Sequence, residues 1–432
     1  MTTFAIVVLF VALLLAGVPI AAALGIGGML AIIALNPGAP LFGLLAAPQN
    51  AHASIAKYPL LALPMFILVG AIFDRSGVAE RLVTFAQACV GSGPGRLPMI
   101  AILVALMLGG ISGSGPATAA AVGAVMLGAM TRAGYPRAFS ASVIGAGAAT
   151  DILIPPSIAL IVYSVNMPGA SVPALFAAGI VPGTLAGIAL IVPALWVSRR
   201  HGFDEAAVAR ARPPFWKSLG EASWGLAAKV LILGGLRLGW FTPTEAAVVA
   251  VAYGLFIGMA IHRTIGLKDL YPIFRSASEL SAVVLLVLAL AGVFAYAVNT
   301  LGIADPLVAW VQGLGLGSNG TLILLFVVMT IVGMVLDGVS IFLVFLPLLY
   351  PLMLAFKWDP VWFGVLLTMK IAIGQFTPPM AVNLMVACRL AKVRIDETIP
   401  WVGWLLVSFV AAALVVLFVP ETALWLPRRL GY

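Results

Sequence analysis

Thr150-Asp-Ile-Leu-Ile154-Pro155-Pro156-Ser157 and Gly374-Gln-Phe-Thr377-Pro378-Pro379-Met380 are helix-breaking stretches in an apolar chain, and their prolines lie 223 residues apart. Proline has no N–H and blocks the carbonyl four residues back, so a proline pair ends a helix and strands the preceding carbonyls. The same offset pairs Gly110 with Gly333, Gly115 with Gly338, Met130 with Met353 and Ala149 with Ala372. With small gaps, Gly70-Ala-Ile-Phe73 also matches Gly292-Val-Phe-Ala295. One such match means little in this composition; several at one offset, a double proline among them, read as a duplication.

The surroundings of the breaks set the class. The 432 residues are 63% hydrophobic and 9% charged, with a mean hydropathy of +1.16. A soluble domain carries roughly 25% charged residues, so this exterior has to be lipid. Apolar runs near the ~20 residues needed to span a bilayer include 4–20, 175–197, 246–261, 283–298 and 402–419. About a dozen hydrophobic segments of that kind predict an all-α, multi-pass protein with one membrane domain over 1–432. The net charge of +8 records basic loops on the cytoplasmic side and does not point to nucleic acid. Cys89 and Cys388 make neither a disulfide nor a zinc pattern. The first segment lacks a basic leader and reads as a membrane helix; Gly17-Val-Pro19 leaves open whether 1–35 crosses once or twice.

Charge bias orients the two copies. The segment around Gly110 is flanked by Arg96 on one side and by Arg132 and Arg137 on the other. Both flanks are therefore cytoplasmic, and the segment is a re-entrant hairpin. Its counterpart around Gly338 is flanked by the uncharged 313–320 and by Lys357 and Asp359, which read as periplasmic. Basic loops at 199–217, 262–275 and 389–394 face the cytoplasm; Arg428 and Arg429 fit this less well. The expectation is two inverted repeats, 59–197 and 279–420, each with a hairpin and a Pro-Pro-broken helix. Cytoplasmic loops and a scaffold connection at 198–278 join them. Within that connection, 239–245 should join a short helix to a full one. Inverted repeats with interrupted helices are a pattern of secondary transporters that bind substrate near the midplane.

Four breaks carry the candidate chemistry, since backbone that leaves a helix at membrane depth must face protein or a water-filled cavity. Gly110-Ile-Ser112-Gly-Ser114-Gly115-Pro116-Ala-Thr118 turns carbonyls and hydroxyls inward, neutral oxygens of the kind Na⁺ takes, and starts a helix whose N–H groups favour an anion. The same small residues also suit a close helix-packing face. At 150–157, carbonyls freed by the prolines can bind a cation, and three roles stay open for Asp151: Na⁺ ligand, proton carrier, or partner of Lys370. Gly333-Met-Val-Leu-Asp337-Gly338-Val-Ser340 is the second tip, with Asp337 open to the same roles, and 374–383 adds Gln375, Thr377, Met380 and Asn383. Lys370 either pairs with a carboxylate or is a structural, snorkelling lysine. No nucleophile–base pair, nucleotide loop or metal-ligand spacing occurs, so an enzyme is not expected.

The runs Gly110-Ile-Ser-Gly-Ser-Gly115, Ile154-Pro-Pro-Ser157, Phe176-Ala-Ala-Gly-Ile-Val-Pro-Gly183, Phe241-Thr-Pro-Thr-Glu-Ala-Ala247 and Thr377-Pro-Pro-Met380 closely resemble the large membrane subunit of tripartite ATP-independent periplasmic (TRAP) transporters. The resemblance implies an elevator-type importer of small organic anions in the bacterial inner membrane. It also implies a soluble periplasmic binding protein, a small four-helix membrane subunit, and drive by Na⁺. By that analogy Ser112, Ser114, Gly115 and the Ile154 carbonyl hold one Na⁺, while Gly333, Asp337, Thr377, Met380 and the carbonyls before Pro378 hold the other. Substrate would lie between the tips, near Ser114, Gly115, Pro116, Thr118, Asp151, Ser157, Gly338, Ser340, Lys370, Met380 and Asn383. The family commonly has glycine at Asp151, valine-glycine at Met380-Ala381 and asparagine near Lys370, which suggests an Asp151–Lys370 ion pair. A stand-alone Na⁺/carboxylate transporter with the same hairpins is the competing reading.

Overall fold

A computed structural model describes residues 8–10, 12–14, 16–36, 38–91, 93, 95–111, 113–203, 212–334, 336 and 338–432. The described residues form helices and turns, with no strand. Among the described residues six helices are long and apolar enough to cross a membrane, or up to eight when each of two bent pairs counts as one span. Bulky side chains such as Val230 (72% exposed) and Val407 (64%) face outward, as lipid contact requires. Trp216, Trp240 and Trp425 are exposed near helix ends, where amphipathic rings anchor a protein at the interface.

After helical residues 8–10 and 12–14 come α1 (Ile20–Leu35), α2 (Pro40–Leu44) and α3 (Ala46–Ile55), then α4 (Ala62–Phe73) and α5 (Val78–Cys89). Next come α6 (Arg96–Leu108) and α7 (Gly115–Arg132), joined by the glycine-rich turn, and α8 (Arg137–Ala148) and α9 (Ile158–Asn166), separated by the first Pro-Pro break. Ser157 caps α9 by accepting from Leu160 N at 3.4 Å. The 29-residue α10 (Val172–Arg200) follows, then α11 (Phe215–Arg237), α12 (Pro243–Phe256) and the 34-residue α13 (Leu267–Thr300).

The second half of the chain continues in helices and breaks. After α14 (Ala304–Gly313), α15 (Gly317–Gly333) and α16 (Gly338–Ala355) flank the second glycine-rich turn, α17 (Pro360–Gly374) and α18 (Val382–Ala391) flank the second break, and α19 (Ile399–Phe418) and α20 (Glu421–Leu430) close the chain. Asp359 caps α17, accepting from Val361 N and Trp362 N at 2.9 and 3.0 Å. The peptide bonds Pro155-Pro156 and Pro378-Pro379 are both cis.

Packing mixes the two halves of the chain. α18 lies on α7 and α8, and α10 lies on α19 and α20, while α13 packs on α1, α3, α4 and α16. Glycines make the closest approaches possible: a Cβ on Gly145 would come within 3.0 Å of the Leu384 backbone. Two expectations need adjustment. The 239–245 break joins two long helices, because α11 itself has 23 residues and the Thr242/Glu245 capping box starts α12 afresh. The expected 278/279 boundary falls inside α13, which runs on unbroken because 278–300 offers no proline or cap to stop it.

Candidate functional site

Both glycine-rich turns and both breaks meet around one cavity of about 210 Å³. Gly113, Ser114, Gly115 and Pro116 line it from the first turn, Gly338 and Val339 from the second, and Ile152 and Gln375 from the breaks. Ile158 and Val382 complete an arrangement that sequence alone does not give: with Gly115 and Gly338 they are the first residues of α9, α18, α7 and α16. Four helix N-termini thus point at one space, each carrying about half a positive charge from its backbone dipoles.

The opposite helix ends pair behind the cavity. α6 ends against the first break: Gly110 N donates to Asp151 Oδ1 at 2.9 Å. A Cβ on Gly110 would overlap the Pro155 carbonyl and come within 2.7 Å of Ile154 O, so those carbonyls lie directly on the tip. At φ +74, Gly110 also holds a left-handed conformation that favours glycine. In the second half, Gly333 lies against Gly374 with room for no Cβ on the latter, and Ala381 N donates to Met334 O at 3.2 Å. The 223-residue offset aligns Asp151 with Gly374, so a carboxylate occupies in the first half the place of a bare backbone in the second.

The expected residues divide as follows. Ser114, Gly115, Pro116 and Gly338 line the cavity. Thr118 and Ser340 are buried just behind it on α7 and α16. Asn383 is fully buried, donates to Gln375 Oε1 at 3.1 Å, and lies so close to Gly115 that a Cβ there would come within 2.6 Å of it. Among the described residues its Oδ1 has no hydrogen-bond partner. Ser157 donates to Ile152 O at 2.6 Å and caps its helix, so its hydroxyl is used structurally. Thr377 Oγ1 donates to Ile373 O at 2.6 Å, and Met380 is 47% exposed. Ser112 and Asp337 lie outside the described residues.

Lys370 does not form the ion pair with Asp151. Its ammonium lies 3.4 Å from Leu322 O and 5.6 Å from the Phe326 ring centre, both on α15. The rotation of α17 turns that side chain to α15 and away from the cavity lining. Gln375, named above within the second break, lines the cavity, whereas Lys229, whose Nζ donates to Leu106 O at 3.1 Å near the C-terminal end of α6, was not anticipated. An intramembrane lysine in α11 was the available signal; the apolar lining from α4 and α13 (Ile67, Leu280, Val284) left none.

Comparisons with known proteins give the family. The family described as "Tripartite ATP-independent periplasmic transporter, DctM component" matches residues 7–422. The C4-dicarboxylate TRAP transporter large permease protein DctM of Pseudomonas aeruginosa is 35% identical over 413 residues, covering 94% of each chain. The sialic acid TRAP transporter large permease protein SiaM of Vibrio cholerae is 33% identical, covering 97% of each. The isethionate TRAP transporter permease protein DctMQ of Oleidesulfovibrio alaskensis is 34% identical over 95% of this chain, which spans only 64% of that longer relative. Among solved structures, the Alcanivorax borkumensis YdaH transporter superposes with a TM-score of 0.58 over 96% of this chain and 98% of its own, at 15% identity; this likeness concerns the fold alone. The relatives are permease subunits and not enzymes, and this chain belongs to the DctM family of TRAP transporter large permease components.

Proposed function

We propose that this chain is the translocating subunit of a Na⁺-coupled importer of small organic anions, carboxylates above all, in the bacterial inner membrane. The observation that carries the reading is the convergence of four helix N-termini on one cavity, which favours an anion without any fixed positive side chain. Relatives named for C4-dicarboxylate, isethionate and sialic acid support a small acid as cargo.

Na⁺ is the co-substrate. Behind the cavity the C-terminal ends of α6 and α15 meet the two breaks, and helix C-termini with freed carbonyls favour a cation. The Ile154 and Pro155 carbonyls at the Gly110 tip belong to the first cation site, and the Gly333–Gly374 contact marks the second. Neutral oxygens avoid the several kcal/mol that an uncompensated buried carboxylate costs in the empty state. Moving an anion inward costs about 2.3 kcal/mol per charge per 100 mV, so a dianion needs two Na⁺ for neutrality and a third for electrical drive.

The chain works as two inverted halves in an elevator. The body of hairpins and breaks carries cavity and ions past the scaffold of α1, α3, α4 and α11–α13. A periplasmic binding protein delivers substrate, and a small four-helix subunit braces the scaffold; the fused DctMQ relative supports that subunit.

The test is uptake into proteoliposomes containing this chain and its small subunit, with the co-encoded binding protein outside. Labelled succinate, isethionate, 2,3-diketo-L-gulonate and sialic acid are offered with and without an inward Na⁺ gradient. Uptake requiring Na⁺ and the binding protein is expected. Uptake that ignores Na⁺ and follows a proton gradient refutes the coupling, and Na⁺-driven uptake without the binding protein makes the chain a stand-alone transporter.

A further inference from the structure

A second, larger cavity of about 410 Å³ shares no lining residue with the first, and its size suits a small molecule. It lies where α3 and the 56–57 linker meet the C-terminal end of α9, the C-terminal half of α13 and the middle of α16. By the charge bias of the loops, these ends all face the periplasm. Lys57 is the one charged residue lining it among the described residues, and Ser54, Tyr296 and Tyr350 add hydroxyls. Gly292 on α13 has no room for a Cβ against Ser54, so this glycine lets α3 close one wall.

The same two helices line both cavities. α13 lines the inner one with Leu280 and Val284 and the outer one with Leu288, Ala291, Ala295 and Asn299. These positions recur every three or four residues and therefore share one helix face. α16 does the same with Val339 inside and Phe342, Leu346 and Tyr350 outside. Val284 and Leu288 are one turn apart, about 6 Å along the axis. The α13–α16 seam therefore runs from the outer cavity to the inner one.

We propose that the outer cavity is a second carboxylate site, which receives the incoming anion before it passes to the cavity between the hairpin tips. Lys57 now spends one of its three donors on Val165 O at 3.0 Å, at the end of α9. A carboxylate competes with that neutral carbonyl because a charge-assisted bond is roughly twice as strong. The hydroxyls of Ser54, Tyr296 and Tyr350 can serve the remaining carboxylate oxygen. Binding thereby loosens the tie between the linker before α4 and the α9 end, which borders the path inward.

The inference rests on the transport reading for its ligand class, but its test does not need transport. In right-side-out vesicles carrying the full chain with its partner subunits, Cys89 and Cys388 are replaced by serine and alanine. Asn299→Cys then provides a reporter at the rim, labelled by a membrane-impermeant maleimide in Na⁺-free choline buffer. At least one of succinate, isethionate, 2,3-diketo-L-gulonate and sialic acid should slow labelling threefold or more. Adding Lys57→Gln should abolish that protection and Lys57→Arg should restore it, with labelling in the absence of acid reporting that each variant is folded. Protection by none of the acids, or protection that survives Lys57→Gln, overturns the site. So does a labelling rate that responds only to the phospholipid composition of the vesicles, which gives the cavity to lipid. An acid that protects but is never taken up keeps this site and refutes the importer; an acid taken up with Na⁺ that never protects does the reverse.

Discussion

Gly110→Ala is the substitution whose cost the structure defines best. Gly110 sits at φ +74, and a left-handed backbone costs a non-glycine residue about 1–2 kcal/mol. The new methyl would also overlap the Pro155 carbonyl and approach Ile154 O to 2.7 Å; these are backbone atoms at a Pro-Pro break and cannot rotate away. Forcing apart a packed contact adds about 1–3 kcal/mol. The sum, about 2–5 kcal/mol, shifts the equilibrium that seats the tip on the break by a factor of about 30 to several thousand. Two substitutions separate the terms. Gly134→Ala keeps a positive φ of +87 with nothing within 4 Å of the added Cβ, so it carries the backbone cost alone. Gly220→Ala has neither a positive φ nor a neighbour and lies inside a helix, where alanine is favoured by about 0.5–1 kcal/mol. Uptake at graded Na⁺ is the assay, with surviving detergent-extracted protein as the fold control. Gly110→Ala should lose nearly all uptake or need far more Na⁺, Gly134→Ala should lose a few-fold at most, and Gly220→Ala should match the parent. Normal Na⁺ dependence in Gly110→Ala would refute the claim that the tip must seat on the Ile154 and Pro155 carbonyls.

Asp151→Ala strands the buried Gly110 N–H now satisfied at 2.9 Å, a loss of about 1–3 kcal/mol. Asp151→Asn keeps an acceptor, so thermal melts should order the parent, asparagine and alanine forms from most to least stable, and equal melting of the two variants would contradict the assigned bond. Lys370→Met removes a fully buried cation held by a long 3.4 Å bond. Methionine removes the cost of keeping a lone charge out of water, so an unchanged or raised melting temperature with uptake within twofold is expected, whereas abolished uptake in a well-folded protein would return Lys370 to the substrate. Ala381 adopts a left-handed φ of +46, so Ala381→Gly should stabilise by up to about 1 kcal/mol; a lower melting temperature would show that the strain has been misjudged. Burial pushes His262 below its ordinary 6.5, while Nδ1 lies 2.7 Å from Ser76 O, a carbonyl that can only accept, so Nδ1 carries the proton. The folded state therefore prefers the neutral ring, and this contribution is whole above pH 6.5 and fades as the pH falls below it. The melting temperature of His262→Gln should fall less between pH 7.5 and 5.5 than that of the parent, and parallel slopes would count against the argument.

The sequence by itself determined the solvent and the breaks. A chain with 9% charged residues has lipid outside, and proline pairs and clustered glycines stop helices wherever they fall, because both act on the backbone of their own neighbourhood. Hence the breaks between α6 and α7 and between α15 and α16, the broken pairs α8–α9 and α17–α18, and the helix starts at Gly115 and Gly338 were legible from residue order. Ser157 shows the limit at short range: its hydroxyl was read as a ligand and is a helix cap. Only the tertiary structure decided partners that are distant in the chain. Whether Lys370 meets Asp151 or Leu322 depends on the rotation of α17 against α15. The apolar wall of Leu280 and Val284 depends on which face of α13 meets α16. That wall looks like any other membrane helix in the sequence, because apolar side chains that line a cavity have the same chemistry as those that face lipid. Asp151 was legible as an expensive residue, but its partner Gly110 N was not. A backbone donor leaves no trace in residue type, and only the seating of one helix end on a break 41 residues away reveals it.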